Sequence, residues 1–588
     1  MTRATYAAAM QRPVVIALAT SVVLVAGVGV AVARRTHDDP KPTATASPTT
    51  SATASPSPEA SATPTASRKP APVGTTPRDR LFDVVYAART TMTDGAVAVA
   101  QAGGEVIHEN AQVGVVTVKA GRDFVGRARK QPAIYGVVPN RTVGEPVAGV
   151  EHREAPLGTG PTRTNAAPDP LQDLQWDMDV IHAPQARQTE GGKRGVLVAV
   201  IDTGVDGTHP DLAAAYDKEL SRNFVTDYPG ADGPCESKDC RDPVNADPDG
   251  HGTHVAGTIA AAAGDGFGMA GVAGGVRLVG LRAGQDSGLF FLMPTVDALT
   301  YAGDIGVDVA NMSYYVDPWL FNCPNGRDDD ADERYEQKAL IEGVRRATEY
   351  AYAKGVTLVA AAGNEHLDLD RPTVDVTSPD FPDSAARTRR VSADCLVLPS
   401  ELPHVIQVSA MARDGIKADY SDYGLNHITV TAPGGSTYLA DGSGPDPDYQ
   451  ALSTWPAALA REEGSVGPNG APRSPFVVRY CKGKTCAYYR YLTGTSMASP
   501  HAAGVAALIV SRYGTPDPAH PGTLRMDPAR VTALLRLTAT PKACPSGTLT
   551  YPGRSYTARC YGTKDRNGFY GDGLIDAYAA VTARPDDA

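Results

Sequence analysis

The chain predicts an α/β protein: a mostly parallel sheet with helices on both faces, preceded by a smaller α+β unit. Six short apolar runs, 195–201, 276–283, 307–313, 356–363, 404–411 and 427–433, carry the first part, several of them followed by helical stretches. Continuous apolar strands are covered on both faces, as parallel sheets are. Residues 79–145 carry the second part, because they alternate strand, helix, strand, strand, helix, strand. The 588 residues are 42% hydrophobic and 21% charged, which excludes a wholly disordered chain and a polytopic membrane protein. A formal charge of −11 argues against a phosphate-binding surface, so no nucleic-acid partner is expected.

Residues 1–39 form an export segment. Val14 to Ala33 is twenty residues without a charge, long enough to cross a bilayer as a helix. Arg3 and Arg12 precede it, and Ala31-Val32-Ala33 fits a small-x-small cleavage site. A cleaved signal peptide and an uncleaved membrane anchor both fit; either way the remainder is extracellular, secreted or membrane-anchored. Residues 40–77 follow, of which 32 are Ala, Ser, Thr or Pro. Such a stretch has too little apolar bulk to offset the entropy of ordering, and reads as an extended disordered linker.

In the next unit LFDVVYAA is a strand, TDGAVAVAQAG a helix ending at Gly103-Gly104, EVIHENAQ and VGVVTVKA two strands, GRDFVGRARKQ a helix and YGVVPNRTV a strand. That βαββαβ order is the ferredoxin-like arrangement. Residues 146–168, rich in Gly, Pro and Thr, form a linker before the α/β pattern begins near Asp169.

Eight cysteines, an even number, suit an oxidising compartment. Cys481 and Cys486 flank Lys-Gly-Lys-Thr between two strand-like runs, as in a stapled hairpin. Cys235/Cys240 and Cys544/Cys560 are also local candidates, which would leave Cys323 with Cys395, one of many connectivities. No paired CxxC units point to zinc.

Ligands of α/β sheets bind outside the carboxyl ends of the strands, and chemistry-bearing residues gather there. VAVIDTGVDGTHPDL places Asp202 directly after a strand. DGHGTHVAGTIAA sets His251 at the start of a small-residue helix, and YLTGTSMASPHAAGVAALIV sets Ser496 at the start of another. A serine hydroxyl needs a neutral imidazole to take its proton, and the imidazole needs a buried carboxylate to fix its tautomer. LVAAAGNE leaves Asn364 on a turn where its amide can donate to an oxyanion. Singly these residues are ordinary caps and turn formers; His254 and His501 are read as structural, and HGTH lacks the HExxH pattern of zinc peptidases.

Jointly, the strings DTGVD, HGTHVAG, AAAGN and GTSMASPH resemble the subtilase family of serine peptidases, from about Leu171 to Ala580. The resemblance implies a subtilisin-like catalytic domain over 169–588, Asp202, His251 and Ser496 as a triad, and Asn364 as oxyanion donor. It implies that 78–145 is an inhibitory propeptide, with a processing site in 146–168. Protein or peptide substrates are the implied partners, bound by Ser313, Tyr314, Tyr315, Ala361 and Gly363. The chain departs from the family at NMSYYV (311–316), where Tyr315 stands in place of a glycine that lets substrate approach. Two readings are a restricted pocket with narrow cleavage preference, and a strand that packs against an insertion.

Four insertions are expected: 227–246, 317–336, 366–400 and 437–490. Asp211, in HPDL, matches a calcium ligand of the family, and 262–271 stands at its calcium loop with Asp265 as the only side-chain ligand. A structural calcium is thus one expectation; catalysis requires no cofactor. The acidic run 327–333 reads as a solvated loop. The implied function is an exported serine endopeptidase, made as a zymogen and acting through an acyl-enzyme. The alternative is a catalytically silent surface binding scaffold on the same fold.

Overall fold

The computed structural model describes residues 80–140, the backbone of 162–163, and 169–584 apart from 229–231, 236, 238, 382–384 and 438–444. The hydrophobic stretch 14–33, the linker 40–77 and nearly all of 146–168 lie outside the described residues. Among the described residues no helix is long and apolar enough to cross a membrane.

The N-terminal described unit contains β1 (Arg80–Tyr86), α1 (Met92–Gln101), β2 (Gly104–Asn110), β3 (Val115–Ala120), α2 (Phe124–Ala128) and β4 (Ile134–Pro139). Its sheet is antiparallel, in the order β2-β3-β1-β4. Strand alternation gives it two apolar faces. Phe82, Val84 and Tyr86 pack with Val99 and Phe124 of its own helices. Val85, Val115 and Val138 instead join the core of the larger domain. Thr91 caps α1 by accepting from the Asp94 amide at 3.1 Å.

The six predicted apolar runs all enter one sheet: β5 (Leu197–Asp202), β7 (Arg277–Arg282), β8 (Val309–Met312), β9 (Thr357–Ala361), β10 (Val405–Met411) and β11 (Val430–Pro433), with the short β6 (Arg222–Asn223) at one edge. The order is β11-β10-β9-β8-β5-β7-β6, and every pairing is parallel. Val198 and Val200 face helices α3 (His251–Ala260) and α6 (Thr495–Tyr513). Leu197, Ala199 and Ile201 face α4 (Leu292–Asp304) and α5 (Ala331–Ala353). Both faces are covered, which is why the runs show no polar alternation. An Asp330–Glu333 capping box starts α5.

The 437–490 insertion holds more than the predicted hairpin. β12 (Ala451–Trp455), β13 (Val477–Lys482) and β14 (Thr485–Leu492) form an antiparallel sheet in the order β12-β14-β13, and Thr162–Arg163 pairs in parallel with β13. Cys481 lies opposite Cys486 across the hairpin. The disulfides join Cys235–Cys240, Cys323–Cys395, Cys481–Cys486 and Cys544–Cys560.

The small unit rests on α4 and α5. His108 Nε2 lies 2.7 Å from Asp297, Asn110 donates to Thr300 at 2.7 Å, and Arg129 pairs with Asp332 at 2.5 Å. A Cβ on Gly136 would fall 2.5 Å from the Ala339 Cβ, so only glycine lets β4 approach α5 this closely.

Candidate active site

Asp202 ends β5 fully buried, and its Oδ1 lies 2.7 Å from His251 Nδ1 while accepting from the Thr203 amide at 2.8 Å. His251 is the first residue of α3, behind Gly250 at φ +93°. Helix and strand end meet tightly at Gly252, where a Cβ would lie 2.0 Å from the Gly204 carbonyl oxygen. With its Nδ1–H given to the carboxylate, the neutral imidazole keeps its lone pair on Nε2. Burial alone would push His251 down, but the Asp202 charge and hydrogen bond outweigh it and raise its pKa to about 9.

Two further carboxyls shape this corner, and neither was singled out from the sequence. Asp247 accepts from Gly250 N, Thr203 Oγ1, Thr253 N and Thr253 Oγ1, all within 2.9 Å. Asp249 accepts from the His251 amide at 3.1 Å, and burial raises its pKa to about 7. The signal was present in DPDG, which precedes the HGTH string.

Ser496 is the second residue of α6, whose first turn offers backbone N–H groups and a partial positive charge. The helix contains Pro500, which has no N–H for the Ser496 carbonyl four residues back. Ser313 Oγ donates to that carbonyl at 3.1 Å and lies 2.8 Å from Ser499 Oγ. Asn364 Oδ1 accepts from Thr495 N at 2.8 Å and Thr495 Oγ1 at 2.9 Å, leaving the Asn364 amide nitrogen as the donor that faces outward from this clamp. A Cβ on Gly494 would fall 3.6 Å from Ser496 N and 3.7 Å from Asn364 Nδ2. The Ser496 amide and the Asn364 side-chain amide thus border one small space.

The structure joins Asp202 to His251, and Asn364 to the start of the Ser496 helix. It does not join Ser496 to His251 by a hydrogen bond: Ser496 Oγ donates to the Ser313 carbonyl at 3.1 Å. Of the residues expected to bind substrate, Ser313 follows the end of β8, and Ala361 ends β9 with Gly363 two residues beyond at φ +119°. Tyr314 stacks on Phe290 with ring centroids 4.0 Å apart. Tyr315 packs beside Leu320, Phe321 and the Cys323–Cys395 bridge, and its hydroxyl donates to Asp380 at 2.6 Å. Of the two readings of Tyr315, these contacts are those of a residue packed against the insertions.

His254 and His501 are buried, His501 with both ring nitrogens partnered and His254 through Nε2 alone. His254 Nε2 lies 3.0 Å from the Arg490 carbonyl, and burial lowers its pKa to about 3. His501 lies 3.0 Å from Asp177 and 2.7 Å from the Met497 carbonyl.

Asp211, the expected calcium ligand, is fully buried, and its Oδ1 has no hydrogen-bond partner. Its Oδ2 accepts from Tyr489 OH at 2.8 Å and from Met269 N at 3.0 Å. Gly268 closes the corner, since a Cβ there would lie 1.9 Å from Tyr489 OH. Burial raises the Asp211 pKa to about 8. Asp265 turns back to accept from the Phe267 amide at 2.8 Å. Asp227, Asp242 and Asp286 also converge, but around Arg282, which contacts all three within 2.8 Å.

A parallel sheet carrying a buried Asp–His pair, a serine at a helix start and an amide beside it defines the class of subtilisin-like serine peptidases. The chain belongs to the subtilase family, whose sequence profile matches residues 193–571. It is 29% identical over 342 residues to the "Thermophilic serine proteinase" of Bacillus sp. (strain AK1), covering 58% of either chain. It is 28% identical over 345 residues to "Subtilisin DY" of Bacillus licheniformis, covering 58% of this chain and 87% of that one. The chain therefore spans well under two thirds of the first relative and most of the second. Its fold is similar to that of the epidermin leader peptide processing serine protease from Staphylococcus aureus, with a TM-score of 0.57 and 20% identity, covering 86% of this chain and 98% of that one.

Proposed function

We propose that this chain is an exported serine endopeptidase made as a zymogen. The observation that carries the reading is the 2.7 Å Asp202–His251 contact on the side of the sheet where α6 presents Ser496 beside Asn364. In the reaction the Ser496 hydroxyl leaves the Ser313 carbonyl, gives its proton to His251 Nε2 and attacks the scissile carbonyl. Asp202 holds the imidazole and stabilises the imidazolium. Asn364 Nδ2 and the Ser496 amide receive the oxyanion. His251 then protonates the leaving amine, and a water activated the same way hydrolyses the acyl-enzyme.

Residues 80–140 act in this reading as the inhibitory propeptide, held on α4 and α5 by an apolar face and polar contacts. Val14 to Ala33 directs export, either cleaved or kept as an anchor. The test is a fluorophosphonate probe on the exported protein beside Ser496→Ala. The wild type is expected to label and the variant to remain unlabelled. Equal labelling of both, or none of either, would sink the assignment, and the second result would favour the binding scaffold.

A further inference from the structure

We propose that Asp422 is a positioning residue for the oxyanion donor: its buried carboxyl shapes the backbone of 363–367 so that the Asn364 amide keeps its place beside Ser496. This role rests on the peptidase reading above and adds to it a residue that lies outside the four motifs.

Asn364 is fixed from two sides. On the helix side, Thr495 Oγ1 accepts from the Gly363 amide at 3.1 Å and donates to Asn364 Oδ1. On the other side the turn wraps around Asp422. Asp422 Oδ1 accepts from the amides of Glu365 at 3.1 Å and Leu367 at 2.7 Å, and Glu365 Oε2 accepts from the Asn364 backbone amide at 2.8 Å. The Asp422 amide donates to the Gly363 carbonyl at 3.0 Å. The approach is close: Gly363 sits at φ +119°, and a Cβ there would fall 2.2 Å from Asp422 Oδ2.

The two segments do not need this carboxyl to stay together. His366 N donates to the Tyr420 carbonyl at 2.8 Å, Tyr423 N to the Leu367 carbonyl at 2.9 Å, and Leu369 N to the Tyr423 carbonyl at 2.8 Å. A chain without the Asp422 carboxyl would keep these backbone bonds. It would lose the one acceptor shared by two amides inside the turn, so the effect falls on the shape of the turn.

The form of the carboxyl follows from its neighbours. Asp422 is fully buried, and its Oδ2 receives no N–H or hydroxyl. Its carboxyl hydrogen-bonds that of Glu365 instead, and two carboxyls do so only through a proton. Burial raises both acids, while their shared bond raises Asp422 and lowers Glu365, so the proton belongs to Asp422. The Lys417 charge pulls Asp422 the other way, but burial pushes that ammonium down to about 7, and its hydrogens go to the Ala418 and Ser421 carbonyls. Asp375, which raises Glu365 further, is itself paired with Arg389 at 2.9 Å. As a neutral acid Asp422 accepts through one oxygen and donates through the other, the pattern an asparagine side chain also offers.

The test uses the processed full-length protein and one peptide substrate, with a denaturant titration to show that each variant is folded. Asp422→Leu is expected to lower kcat by about 100-fold with KM within about 3-fold, because a misplaced donor is missed in the transition state. Asp422→Ala serves in its place should Asp422→Leu not fold. Asp422→Asn should recover about 10-fold or more of that loss. Where Asn364 is already Ala, Asp422→Leu should lower kcat by no more than about 3-fold further, since the donor it positions is gone. The pH midpoint of Ser496 labelling should stay at the wild-type value throughout. Losses that multiply, an unchanged kcat in Asp422→Leu, or a folded Asp422→Asn protein as slow as Asn364→Ala would overturn the positioning role and leave the peptidase reading standing. A wild type that neither labels with fluorophosphonate nor cleaves any peptide overturns both.

Discussion

The two halves of the site are held in different ways. Asp202 and His251 belong to a buried network of side chains, in which Asp247 ties together Thr203, Gly250 and Thr253. Behind it the insertion sheet braces α3: Ser453 and Thr454 donate to the carbonyls of His254 and Thr253 at 2.6 and 2.8 Å. Ser496 and Asn364 depend instead on backbone, with a helix start, a glycine that leaves space and a proline that frees a carbonyl. Substitutions in the first half should therefore change protonation. Those in the second should change geometry and leave protonation alone.

Asp202→Asn breaks the contrast most sharply. Turnover is expected to fall by about 10⁴-fold, because the imidazole loses its tautomer and its counter-charge. Labelling of Ser496 against pH measures the second effect. In the wild type labelling should rise with an apparent pKa near 9, as the imidazolium gives up its proton. Asp202→Asn removes the two largest causes of that rise and leaves burial set against the charges of Asp249 and Asp247, so the midpoint should fall clearly below 9. The stability contributed by the pair has the matching sign. A histidine raised in the folded state stabilises fully below about pH 6.5, and this is lost as pH rises through about 9. A midpoint unmoved by the substitution would show that Asp202 does not govern His251.

Asn364→Ala tests the other half, with an expected loss of about 10²–10³-fold in kcat, little change in KM and an unchanged pH midpoint. Asp247→Ala comes next. It leaves two amides and two hydroxyls without their acceptor, for an expected destabilisation of about 2–3 kcal/mol in a denaturant titration. Tyr489→Phe should be the mildest. It removes one hydrogen bond to Asp211 and costs about 1 kcal/mol, read by the same titration.

Much of this was legible in the chain because it is local. Each of the six sheet strands is a contiguous apolar run, and parallel strands covered on both faces leave that signature whatever their order. Their ends were less legible: the 307–313 run leaves the sheet after Met312, and the 427–433 run joins only at Val430. The Cys481–Cys486 hairpin was readable from its flanking strands, whereas its pairing with β12 was not, since Ala451 meets Leu492 across forty intervening residues. The Tyr489 contact to Asp211 was illegible for the same reason. Asp211 looks like a ligand in its own motif, and the hydroxyl it receives comes from Tyr489 in a distant insertion.

The sequence by itself determined the sheet, the order Asp202, His251, Ser496 and the turn at Asn364, because each needs only a short string of residues with fixed local geometry. Tertiary structure alone decided what surrounds them: Asp422 behind Gly363, Asp380 on Tyr315 and Tyr489 on Asp211. Those partners are far apart in the chain, and two of them, Asp380 and Tyr489, come from insertions. Burial, which gives the acids their significance, is a property of the folded whole rather than of any segment.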